Sequence, residues 1–185
     1  MIDQAYVVDV FEDIVSKVSA KLLPSLQAVS ANITGVHYLY GHYNEVRDVL
    51  KEKGANKTRK FDRYPLVVLF QDFPVRKRGN ESIYGTATLQ MLILAHTDDK
   101  ARSEQRYTKV FKPILYPIYN ELLRQIAKDG RLAVDSAKRI NHTQIDRPNW
   151  GDPELYGPKG RIFSDVLDGI ELKDLEIPIY HSNNC

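Results

Sequence analysis

Between Tyr64 and Lys128 the chain sets out an apolar strand, a basic loop, a second strand and one long amphipathic helix, and no catalytic or cofactor motif interrupts the block. Leu66 to Phe70 reads LVVLF, the continuous apolar run of a strand covered on both faces. From Thr86 to Ala95 the odd positions (Ala87, Leu89, Met91, Ile93, Ala95) are apolar, whereas Thr86, Thr88 and Gln90 face away. Leu92 and Leu94 then make the second half apolar on both faces. Such a strand starts at a wet surface and ends covered on both sides, by a helix on one and a neighbour on the other. The helix predicted from Ala101 to Asp129 turns Tyr107, Val110, Phe111, Ile114, Leu115, Ile118, Leu122 and Ile126 inward. Pro113 and Pro117 fall inside it. Each lacks an N–H and crowds the carbonyl four residues earlier, at ~3 kcal/mol in a regular helix. The spacing predicts a kinked helix, or two helices meeting near Pro113.

The flanking segments extend this plan. Apolar residues at 7, 10, 11, 14, 15, 18 and 22 predict a docking helix over Tyr6 to Leu23, closed by Pro24. Val36, Tyr38 and Tyr40 mark a short aromatic strand ending at Gly41, and Asn44 is the expected cap of a helix that stops at Gly54. Residues 131–161 lose all periodicity and carry Pro148, Gly151, Pro153, Gly157, Pro158 and Gly160. A stretch of about thirty residues is longer than a passive loop in a compact domain, so it reads as an arm that docks on another chain through Trp150 and Tyr156. In DVLDGIELKDLEIPIY the apolar parity changes from even (Ile170, Leu172) to odd (Leu175, Ile177, Ile179), which places a bulge or turn at Lys173 and Asp174. Pro178 cannot donate to a ladder, so this last strand is expected at a sheet edge or with its N–H side free, with Ile177 and Ile179 as subunit contacts.

Together these readings predict an α+β fold: a mixed, largely antiparallel sheet packed by an N-terminal helix and one long kinked helix, with a long Pro/Gly-rich arm. The chain of 185 residues, 43% hydrophobic and 27% charged, suits one domain. Its expected parts are the N-terminal helix (1–24), the sheet and long helix (36–130), the arm (131–161) and closing strands (162–180). A net charge of +2, from 26 basic and 24 acidic residues, gives no field strong enough to mark a nucleic-acid binder. Cys185 is the single cysteine, so neither an intrachain disulfide nor a thiolate metal cluster can form within one chain. The start, MIDQAYVVDVFEDIV, lacks the basic opening of a secretory signal, and no apolar run reaches the ~20 residues of a membrane span. A soluble protein made in the cytoplasm is expected.

Chemistry-bearing residues are sparse. His96, Asp98 and Asp99 stand where a strand ends, a place for metal ligands, but Thr97 to Asp99 is also an ordinary capping sequence, the commoner use. Asp152, Glu154 and Lys159 lie in a Pro/Gly loop instead of on paired strands. The other histidines (His37, His42, His142, His181) lack zinc spacing, and there is no phosphate loop or G-x-S-x-G. The expectation is a non-enzymatic protein without catalytic residues, metal or cofactor. The alternative is a metal-dependent DNA-processing enzyme using Asp98, Asp99 and Glu104. Two basic clusters flank the first strand: Lys57, Arg59, Lys60 and Arg63 before it, Arg76, Lys77 and Arg78 after it. A strand of about ten residues holds them roughly 30 Å apart. Such charge runs commonly serve as solvated loop tips; the functional alternative is that loop 76–83 meets a phosphate backbone or an acidic partner, with charge but no base-reading element.

The run RYPLVVLFQDF, the strand TATLQMLILAH, the helix RYTKVFKPILYPIYNELLRQI and the late DVLDGIELKDLEIPI together resemble the tail-terminator or tail-completion proteins of tailed bacteriophages and their prophages. The likeness covers residues 64 to 180, in order as well as content. It implies a structural virion protein without an active site: a subunit of a closed ring in the phage neck or at the head-proximal end of the tail. The ring would join portal and tail and surround the passage of duplex DNA. The implied partners are further copies of the chain, the portal, other neck or tail proteins, and DNA passing through the lumen without sequence recognition. Short-tailed phages build related neck rings, and a secretion-tube component would share the same ring physics.

Overall fold

A computed structural model describes residues 4–54, 63–77, 84–98, 100–134, 140–150 and 166–180. The elements are α1 (Gln4–Val29), β1 (His37–Gly41), α2 (Tyr43–Gly54), β2 (Leu66–Phe70), β3 (Val75–Lys77), β4 (Tyr84–His96), α3 (Ser103–Arg106), a π-helical segment (Tyr107–Leu115), α4 (Tyr116–Lys128), β5 (Thr143–Trp150) and β6 (Leu167–Tyr180). The fold is α+β. Its sheet runs β1-β2-β4-β6-β5, with β3 also on β4. The β1–β2 pair is parallel and the other pairs are antiparallel.

Alternation in β4 decides what covers each face. Ala87, Leu89, Met91, Ile93 and Ala95 join the main core beneath α1, the π-helical segment and α4. Leu92 and Leu94 point the other way, into a smaller cluster with Val46 and Leu50 of α2 and Leu167 of β6. The strand is therefore buried on both faces at its C-terminal half, as its sequence predicts. α1 seats Phe11, Ile14, Val18 and Leu26 on the sheet, each fully buried. Its N-terminal half is clamped to the end of α4: Arg131 pairs with Asp13 and Asp129, and Lys17 lies 2.8 Å from Asp13.

Several expectations need correction. Pro24 does not close α1, which continues to Val29. The buried Leu26 holds the turn beyond the proline, and tertiary packing overrides the local penalty. α2 is capped by His42 instead of Asn44: the His42 carbonyl accepts from Val46 N–H, and the His42 N–H donates to Glu45 Oε2 at 3.2 Å. The long helix accommodates its prolines by changing hydrogen-bond register. At both ends of the π-helical segment the backbone stays right-handed helical, and Tyr116 N–H donates to the Phe111 carbonyl five residues back. Widening the turn around Pro113 moves its ring off the carbonyl it would strike in an α-helix.

The parity change in β6 has the predicted cause. Leu89 pairs with Leu175 but Met91 pairs with Leu172, so two β6 residues face Gln90. Asp174 sits in that bulge at φ 53°. One other expectation in β6 is met in its second form and one fails. The strand lies between β4 and β5 along residues 167–173, but β5 pairs no further, so around Pro178 the side away from β4 carries no strand partner among the described residues. Ile177 and Ile179 are 1% and 0% exposed, within the core, so they are not surface contacts. Pro178 is tolerated because its carbonyl accepts from Ala133 N–H, outside the ladder to β5. Part of the expected arm is strand as well: β5 takes residues 143–150 into the sheet, while residues 151–165 lie outside the described residues.

Candidate functional site

The end of the sheet where β4 stops is the most elaborated surface. Thr97 follows β4 and donates its N–H to Val166 O, which carries the strand pairing one step past β6. Ala95 pairs with Asp168, so Thr97, Ala95 and Asp168 share the helix-bearing face. Asp168 is fully buried there. Its Oδ1 accepts from Arg106 Nη1 at 2.6 Å and from Asn149 N–H at 3.0 Å. Arg106, 4% exposed, also donates to the carbonyls of Ala101 and Asp98. One guanidinium thereby fixes the turn after β4, the start of the long helix and the middle strand β6.

Two polar atoms in this knot, Thr97 Oγ1 and Asp168 Oδ2, are buried and find no partner among the described residues. Above Thr97 opens a cleft of about 1110 Å³. Its walls are the end of α1 (Val29) and the turn after it (Ile33), the Tyr64–Pro65 approach to β2, and the π-helical segment (Val110, Pro113). Lys100 and Lys109 stand exposed on its rim, and neither makes an ion pair among the described residues. The cleft combines an apolar wall with the exposed Lys100, Lys109 and Asp98 in its lining, above a Thr97 hydroxyl that is sealed from solvent. It suits a group with an apolar body and nearby negative charge.

A second surface lies toward the other end of α1. Tyr38 of β1 donates its hydroxyl to the Val8 carbonyl at 3.2 Å, and its ring packs 6.1 Å from that of Tyr40. Burial pushes the Tyr38 phenol well above the ordinary tyrosine range, and the nearby carboxylates of Glu12 and Asp9 add to the shift. Asp9 and Glu12 are exposed, and Tyr40 is 49% exposed. An acidic, aromatic patch results.

The sequence-predicted residues are dispersed. Arg76 is exposed on β3, paired across the ladder with Thr86, and Lys77 pairs with Gly85; both belong to a strand, not a projecting loop. Lys57, Arg59, Lys60, Arg78, Asp99, Asp152, Glu154, Tyr156 and Lys159 lie outside the described residues. Trp150 closes β5 opposite Leu167 and packs against the smaller core cluster, so its ring serves this chain's own fold. Asp98 caps a turn instead of a helix: its Oδ1 accepts from Lys100 N–H at 3.0 Å. The helix starts later, where Arg102 N–H donates to Gln105 Oε1 at 3.1 Å. Glu104 is exposed on that first turn. Among the described residues, no three His, Cys, Asp or Glu side chains converge as metal ligands, and no helix is long and apolar enough to cross a membrane.

Sequence reasoning missed Thr97, Lys100, Lys109 and the Tyr40 patch. Each is an isolated polar or aromatic residue in its own segment, and only the meeting of α1, β1, β4 and the π-helical segment gives it neighbours. No protein-family model matches the chain, and no curated protein matches it significantly.

Proposed function

We propose that this chain is a structural subunit of a closed ring in the neck or tail-proximal region of a tailed phage, joining portal to tail around the DNA passage. The observation that carries the reading is the pair of unlike exposed surfaces: a lysine-rimmed cleft at one end of α1 and an acidic, aromatic patch toward the other. A ring of identical subunits needs two different, complementary surfaces on each copy, because a self-complementary patch stops at a dimer. The sheet supports the same role. One face is covered throughout, the other over the C-terminal half of β4, and a buried ion pair ties β6 to the long helix, which supports a firm frame between the two surfaces.

The order of strands and long helix is the one on which the resemblance to tail-terminator proteins rests. In this reading Arg76, exposed on β3 without a partner among the described residues, belongs with Lys77 and Arg78 to a surface that meets DNA phosphates or an acidic neighbouring ring. Electron microscopy of the protein co-expressed with its genomic neighbours tests the proposal. Closed rings are the expected result, and dispersed monomers in every context would refute it.

A further inference from the structure

The acidic, aromatic patch and the lysine-rimmed cleft lie on the same helix-bearing side of the sheet. The 17 to 20 residues of α1 between Asp9 or Glu12 and Val29 place them roughly 25–30 Å apart. Asp9, Glu12, Lys100 and Lys109 are all exposed, and none of their side chains makes a hydrogen bond or ion pair among the described residues. Tyr40 leaves about half its surface in water, although its neighbour Tyr38 is largely buried. At the cleft, the exposed Val29 is the costly feature.

We propose that these two surfaces are the two halves of one contact between copies of this chain. Tyr40 of one subunit seats in the cleft of the next, and Asp9 and Glu12 face Lys100 and Lys109. This rests on the ring reading and names the groups that close the ring. Tyrosine suits such a contact because it brings a large apolar area at little cost in side-chain entropy. An ammonium beside the ring adds a cation–π attraction. Pairing like patches would set carboxylate against carboxylate or lysine against lysine, so the contact is head to tail and leaves one free surface of each kind until the ring closes. The carboxylate–lysine attraction is exposed at the rim, so the contact weakens as salt rises.

The test is a charge swap read by native mass spectrometry and sedimentation velocity at matched low salt. It compares the full-length wild type with Lys100→Glu/Lys109→Glu, Asp9→Lys/Glu12→Lys and Tyr40→Ala, each co-expressed with the same neck partners. All five positions are exposed, so circular dichroism melts should stay close to wild type. Each variant alone is expected to lose assembly by tenfold or more in midpoint concentration. A one-to-one mixture of the two charge-reversed proteins should recover it. Assembly that persists in both reversed variants, or a mixture that fails to recover, would overturn this contact while leaving the ring reading in place. A wild type that stays monomeric in every context would overturn both.

Discussion

Asp174 holds φ 53° in the β6 bulge, a left-handed conformation that costs an L-residue roughly 1 kcal/mol and a β-branched one more. Asp174→Gly is therefore expected to raise stability by up to about 1 kcal/mol, and Asp174→Val to lower it by about 1–2 kcal/mol, read by urea denaturation. Equal midpoints for the two variants would mean that the bulge does not constrain this residue. At Asp129 the governing effect is charge. Hydrogen bonds from the Arg131 guanidinium, opposed by burial, hold its carboxyl at about 2, below the usual 3.8. Above pH 4 the carboxylate is ionised in both folded and unfolded chains, and the pair contributes in full. Between pH 4 and 2 the unfolded chain takes up the proton first, so the contribution fades and is gone below about pH 2. Because Arg131 is 40% exposed, solvent screening limits the effect to about 1–2 kcal/mol at neutral pH. Asp129→Asn should lose that amount at pH 7 and almost nothing at pH 2, in denaturation curves recorded across the range. The bulge was readable from sequence because a parity change in a strand has few causes. The Asp129 clamp was not: Arg131 is two residues on, but Lys17, which also pairs with Asp129, and Asp13, which shares Arg131, are more than a hundred residues away, and charged residues carry no period.

At the scale of elements, the junction between β4, β6 and the long helix depends on Arg106 and Asp168. Both are buried, and their atoms lie 2.6 Å apart. Arg106→Leu leaves a buried carboxylate without its cation and is expected to cost about 3–5 kcal/mol, whereas Arg106→Leu/Asp168→Leu removes both charges and should recover a large part of the loss. A double variant no more stable than the single would show that packing, and not the ion pair, fixes the junction. The strands β2 and β4 and the inner stripe of the long helix were legible because apolar periodicity reports burial directly. The π-helical register was not: two prolines announce an interruption, and whether it takes the form of a kink or a wider turn depends on how Val110, Phe111, Ile114 and Leu115 meet the sheet. β5 was hidden for a related reason. Its sequence, TQIDRPNW, is polar because an edge strand with mostly exposed residues needs no apolar alternation. It is held by cross-links to α4, Tyr116 to Asp146 at 2.5 Å and Tyr119 to His142 at 2.6 Å, which no local pattern announces.

Across the whole molecule, the architecture places unlike surfaces at the two ends of α1, with the sheet's main core between them. The α+β class followed from the alternation of strand and helix periods. The surfaces did not, because they are assembled from single residues of segments far apart in sequence. A near-neutral net charge hides their separation into an acidic and a basic end. In the proposed reading this arrangement serves ring closure. Negative-stain imaging of the protein co-expressed with its genomic neighbours tests it without an intermediate step. Closed rings with a central hole wide enough for duplex DNA are the predicted result. Monomers in every context, with or without partners, would contradict ring closure and redirect attention to the carboxylates around Asp98.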